Sequence, residues 1–172
     1  MKKVFSLLMI TMLFAACSSD DDNGNGNVAL EGTWKMTAFK SQNAYDINGN
    51  GIISNDIMQQ TNCYQNETLV FNANVTGADI STSYAEIDLE LVAGSTNEYQ
   101  YTVSCVNENT TSAFTWNQSG NTVNISQSGI TFSGTQSVNQ ITFVIPNGFP
   151  IEVTQGNGTA IVTEDLTIVY EK

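Results

Sequence analysis

Few residues in this chain are able to do chemistry, and their types narrow the field. The sequence has no histidine, its five basic residues are all lysine, and 17 acids give a formal net charge of -12. Without imidazole there is no His general base, no His-activated serine and no His-ligated zinc. Without guanidinium there is no bidentate clamp for phosphate or carboxylate. The acid excess opposes DNA, RNA and anionic membrane surfaces. Lys35 and Lys40 have no motif around them, and no Gly-rich loop between a strand and a helix offers a phosphate cradle. Glu86, Asp88 and Glu90 stand at every second position, so on a strand they point the same way. A glycosidase pair must instead face across a cleft. A solvated face, or one that blunts an edge strand, accounts for them. No catalytic residue is expected, and the protein is not expected to be an enzyme.

The sharpest local pattern is Asp46-Ile47-Asn48-Gly49-Asn50-Gly51-Ile52-Ile53-Ser54-Asn55-Asp56. Side-chain oxygens of Asp46, Asn48 and Asn50 occupy the first, third and fifth positions. They can converge on a calcium ion because Gly51, at the sixth, permits a sharp turn. Ile52 would add its backbone carbonyl, and Ser54 a hydroxyl or a water. The closing acid belongs at the twelfth position, which is Ile57; Asp56 comes one residue early. Two carboxylates imply weak affinity, on the order of 10⁻⁴ to 10⁻³ M. The competing reading is an Asn/Gly loop whose side chains bond to its own backbone.

The N-terminus carries an address. Lys2 and Lys3 precede an apolar run over residues 4–14, broken only by Ser6 and Thr11, and Ala15-Ala16 then precede Cys17. Eleven residues at about 1.5 Å each cannot cross a ~30 Å hydrocarbon core, so the run reads as a secretory signal. Leu13-Phe14-Ala15-Ala16-Cys17 resembles the lipobox of bacterial lipoproteins, with Phe14 where the motif usually has Leu. The resemblance implies a signal peptide over residues 1–16 and acylation of Cys17, palmitate among its chains. Ser18-Ser19-Asp20-Asp21-Asp22 resembles the acidic signal that sends some Gram-negative lipoproteins to the outer face of the outer membrane. Asn23-Gly24-Asn25-Gly26-Asn27 is a flexible linker, so residues 17–29 form a lipidated tether. Several acyl chains, at ~0.8 kcal/mol per buried methylene, make such attachment effectively permanent.

The chain has three cysteines. If Cys17 carries lipid, Cys63 and Cys105 remain as a pair in an oxidising compartment. A bridge between them would stabilise the fold by roughly 4 kcal/mol on the chain-entropy model. The alternative is two small buried hydrophobes.

The elements that must position these groups are strands. Beyond residue 16 there are 19 Thr, 13 Ile and 12 Val against five Leu, a β-branched excess. Period-2 alternation marks Trp34/Met36/Ala38, Leu69/Phe71, Ile87/Leu89/Leu91, Tyr99/Tyr101/Val103/Cys105, Phe114/Trp116 and Val123/Ile125. It continues in Ile130/Phe132, Ile141/Phe143/Ile145 and Leu166/Ile168/Tyr170. Turn residues separate most of these runs, and Pro146 and Pro150 frame an expected loop at Asn147-Gly148-Phe149. A helical turn or two is expected near residues 55–61. The pattern predicts an all-β domain over residues 30–172: a single antiparallel meander of about 8–10 strands, closed as a barrel or folded as a sandwich.

Gly32-Thr33-Trp34, opening the first strand, resembles the Gly-x-Trp start of lipocalins. With Glu67-Thr68-Leu69-Val70-Phe71-Asn72, the hairpin at Thr115-Trp116-Asn117-Gln118-Ser119-Gly120-Asn121 and the ending Leu166-Thr167-Ile168-Val169-Tyr170-Glu171-Lys172, it looks like lipocalin-like lipoproteins of Gram-negative bacteria. The resemblance implies a lipocalin-like β-barrel. Lipocalins usually set a basic residue, often Arg, against that tryptophan from the last strand. This chain has no arginine and Lys172 comes late, which leaves the barrel closed, open or flattened at its base.

Small barrels either fill with side chains or hold one small ligand. Trp34, Phe71, Tyr99, Tyr101, Phe114, Trp116, Phe132 and Phe143 are the candidate lining, although core packing explains most of them equally well. The expected function is non-catalytic binding of a small apolar or amphipathic molecule by a lipoprotein anchored to the outer membrane at the cell surface. The alternative is a structural or protein/glycan interaction module of the envelope with a packed barrel. No cofactor is expected other than calcium.

Overall fold

A computed structural model describes residues 29–156 and 158–172. The signal segment, Cys17 and most of the tether lie outside the described residues. The elements are β1 (Gly32–Tyr45), β2 (Ser54–Asp56), α1 (Ile57–Gln60), β3 (Thr68–Phe71), β4 (Thr76–Leu91), β5 (Tyr99–Ser119), β6 (Thr122–Gln127), β7 (Ile130–Ser137), β8 (Gln140–Gln155) and β9 (Gly158–Glu171). β1 and β3 through β9 pair in sequence order, and β9 returns to pair with β1. The result is a closed antiparallel barrel of eight strands, with β2 an extra strand on β1.

The base closes without arginine. Trp34 is fully buried, and its Nε1 donates to the Leu30 carbonyl at 2.7 Å. Lys172 Nζ lies 5.6 Å from the Trp34 ring centroid and donates to the carbonyls of Ala29, at 2.7 Å, and Glu31. A lysine stem is long enough to reach back from one residue beyond β9, so the late position is no obstacle. The ladder from Lys35↔Glu171 to Ser41↔Leu166 completes the closure, and the open and flattened alternatives fall away.

The alternating sets all fall on strands, but two are joined where separation was expected. Tyr99/Tyr101/Val103/Cys105 and Phe114/Trp116 belong to the single 21-residue strand β5. Their parity differs because the pairing with β4 slips by one residue, from Ser81↔Thr110 to Ser83↔Asn107. A one-residue bulge exchanges the two faces of a strand. The loop expected between Pro146 and Pro150 is likewise a bulge within β8, where the pairing jumps from Ile145↔Leu166 to Phe149↔Glu164. The Asn147 amide there donates to Asp165 at 3.0 Å.

The helix is a single turn. Asp56, in extended backbone, caps it by accepting from the Met58 amide at 3.2 Å. It carries Ile57, fully buried, into the upper part of the barrel beside Ile47, Phe149, Ile151 and Leu166. A lower core gathers Trp34, Met36, Leu69, Phe71, Phe114, Ile141, Phe143 and Tyr170. Hairpins β4–β5 and β8–β9 are tall, and the six-residue β6 and eight-residue β7 between them are short. Above the short pair, Ile87, Tyr101 and Val103 of one tall hairpin pack on the cluster holding Ile151 of the other. The Tyr101 hydroxyl donates to the Glu152 carbonyl at 2.9 Å.

Candidate functional site

Beneath the short β6–β7 hairpin the barrel is not filled. A cavity of about 180 Å³ lies among Leu69, Phe114, Ile125, Phe132, Phe143, Ile145, Ile168 and Tyr170, with Asp79 and Gln127 as its polar lining. Two glycines shape it. Gly77 is the register partner of Phe114, and Gly134 that of Phe143. A Cβ on Gly77 would lie 2.2 Å from the Phe114 ring, and one on Gly134 2.7 Å from the Phe143 ring. The rings lie over backbone that has no side chain of its own, which holds them down along the wall.

A cleft adjoins the cavity. β7 and β8 pair only from Ser137↔Gln140 to Gly134↔Phe143. Beyond that point a cleft of about 360 Å³ lies between residues 131–133 and 144–146, and it shares Phe132, Phe143 and Ile145 with the cavity. Val144, more than half exposed, lines it.

Charge on the wall is one-signed. Asp79 lies on β4 between Leu69 of β3 and Ser112 of β5. Burial raises its pKa above the usual carboxylate value, the charges of Glu67 and Glu108 push the same way, and a Gln127 hydrogen bond opposes them. Tyr170 is raised as well, first by burial and then by the charges of Asp79 and Glu67. Glu67, buried, accepts from the Thr82 amide at 2.9 Å, the Thr82 hydroxyl at 2.9 Å and the Ser83 amide at 3.0 Å. Glu108 accepts from the Ser81 hydroxyl at 2.5 Å.

Three of the eight candidate lining aromatics meet here: Phe114, Phe132 and Phe143. Trp34 seals the base under Lys172. Phe71 packs edge-on against Phe114 and Trp116, and Trp116 Nε1 is bound to the Thr76 carbonyl at 3.0 Å. Tyr99 and Tyr101 lie high on β5, where Tyr101 packs edge-on against Tyr45. Tyr45 in turn donates to buried Glu164. Burial pushes the Glu164 carboxyl up, but bonds from the Asn43 amide, the Tyr45 hydroxyl and the Asn43 side chain outweigh it and hold the pKa low.

The wall residues that sequence reasoning missed are Asp79, Gln127 and Tyr170 as a polar group. Tyr170 and Ile125 were legible as buried by period. Asp79 was not, because the inward positions of lower β4 are Gly77, Asp79 and Ser81, which carry no apolar alternation.

Cys63 and Cys105 are joined, with Cα atoms 5.3 Å apart. The bridge ties the segment after α1 to upper β5. In the 46–56 loop, Asp46 accepts from the Asn50 amide at 3.1 Å and the Gly51 amide at 2.8 Å, and Asn48 from the Asn50 amide at 3.2 Å. The Asn50 side chain accepts from the Ile52 amide at 2.7 Å. Ser54 accepts from the Asp56 amide at 3.1 Å, and Asp56 is turned to α1 as its cap. Among the described residues no three acids or cysteines converge as metal ligands. Glu86, Asp88 and Glu90 are all exposed on the outer face of β4.

No family model, curated protein or solved structure matches this chain. The closed eight-stranded antiparallel barrel is compatible with the lipocalin-like fold that the Gly32-Thr33-Trp34 opening resembles.

Proposed function

We propose that this chain is a lipoprotein anchored through Cys17 to the outer membrane, exposed at the cell surface, whose barrel binds a small apolar or amphipathic molecule without transforming it. The cavity beneath β6–β7, with its cleft between β7 and β8, carries the reading. An apolar lining with a few convergent polar groups is the usual make-up of a small-molecule site. A cavity near 150 Å³ is known to hold benzene, so about 180 Å³ suits a guest of one ring or a short chain. Native mass spectrometry of the purified chain tests this directly. A non-covalent adduct of small-molecule mass, released on unfolding, is expected. A barrel that stays bare after incubation with propylbenzene would favour the packed envelope module instead.

The Asp46, Asn48 and Asn50 oxygens accept from amides of their own loop, as the competing reading of 46–56 expects, and weak calcium binding at the same oxygens remains our second proposal. Gly49 and Gly51 both take positive φ, 67° and 83°, which gives the turn that converging oxygens need. The amides bonded to Asp46 and Asn50 pre-order the loop, and a single carboxylate in the ring keeps the affinity low. Calcium at about 5 mM should raise the melting temperature relative to chelator; identical melting curves would remove the site.

A further inference from the structure

The binding reading leaves the chemistry of the guest open, and the polar wall narrows it. Three carboxylates, Glu67, Asp79 and Glu108, are close enough for Glu67 and Glu108 to act on Asp79 through their charge. Glu67 is held by Thr82 and Ser83, and Glu108 by Ser81. Asp79, the one acid that lines the cavity, accepts from the Gln127 side chain. None of the described lysines lines the cavity; Lys172 is bound at the base and Lys35 is exposed. The rest of the wall is aliphatic or aromatic, with the rings of Phe114, Phe132, Phe143 and Tyr170.

We infer that the cavity selects a small molecule with an apolar body and a protonated amine head, the body against Phe114, Phe143 and Ile125 and the ammonium at Asp79. This rests on the cavity being a binding site. An ammonium there supplies the counter-charge that the wall lacks, in surroundings where a Coulomb pair is stronger than in water. The rings add cation–π attraction. A carboxylate-headed guest would meet three like charges. The volume limits the body to about one ring with a short arm.

Calorimetry on the purified chain with phenethylamine, propylbenzene and phenylpropionate separates the two levels of the claim. Phenethylamine should bind about tenfold or more tighter than propylbenzene, and phenylpropionate weakest. Asp79→Asn should erase the amine's advantage over propylbenzene measured on the same variant. On the unaltered protein, the amine's affinity should fall with pH as Asp79 takes up its proton, while propylbenzene's stays level. Glu67, Glu108 and Tyr170 are the titratable groups that act on Asp79 there, with Gln127 its neutral partner. Equal binding of amine and hydrocarbon, or an amine preference that survives Asp79→Asn, would overturn the charge selectivity and leave the binding site standing. Binding of none of the three would overturn the site itself, and the inference with it.

Discussion

Lys172 and Asp79 are opposite uses of charge in a chain with few cations. Lys172 closes the barrel with two carbonyl bonds and a ring contact, so its loss gives those exposed carbonyls over to water and leaves Trp34 less covered. Lys172→Met, which keeps much of the stem, should cost about 0.5–1 kcal/mol in urea unfolding. An unchanged midpoint would mean that the β1–β9 ladder alone holds the base. Asp79 costs stability. Burial and the charges of Glu67 and Glu108 raise its pKa, so the native state holds that proton more tightly than the unfolded chain does. The penalty is present above the native pKa and disappears below the unfolded one. Asp79→Asn should therefore raise the melting temperature at neutral pH, with the two curves converging below the ordinary carboxylate range. A gain that persists into acid would assign the effect to packing. Such an acid is hard to read from sequence, since an inward strand position filled by Gly, Asp or Ser looks like an outward one.

Among elements, the glycine–aromatic pairs fix the cavity wall. At Gly134 the close contacts of an added Cβ are all with the Phe143 ring, whereas at Gly77 they include the Val70 carbonyl at 2.5 Å. Gly134→Ala should destabilise by about 1–3 kcal/mol and be partly rescued by Phe143→Leu. Gly77→Ala should cost at least as much and resist rescue by Phe114→Leu, because the backbone clash remains. Equal rescue at both sites in a double-mutant cycle would contradict this account of the wall. The eight barrel strands were legible from period; β2 was not, and its Asn55 and Asp56 fell within the expected helical turn, which begins only at Ile57. The bulges were not legible either. The change of parity between Cys105 and Phe114 looked like two strands, and Pro146 and Pro150 looked like the ends of a loop. Only the register of the neighbouring strand shows that the chain continues through both. The aromatic lining was half legible for the same reason: alternation says which residues face inward but not at what height, so Phe71 and Trp116 could not be told from Phe114 and Phe143.

As a whole molecule the barrel has a packed base under Trp34, an upper core around Ile57 and Ile151, and an unfilled layer where β6 and β7 are short. The strand lengths make that layer: two tall hairpins meet above the short one, and β7 and β8 stop pairing beside it. The central claim is that this layer admits a guest. Methyl-resolved NMR of the purified chain titrated with propylbenzene tests it most directly. Leu69, Ile125, Ile145 and Ile168 methyls should shift together and saturably, while Ile52, Ile53 and Ile161, all far exposed on the surface, stay still. Shifts confined to those exposed methyls, or none at all, would contradict it.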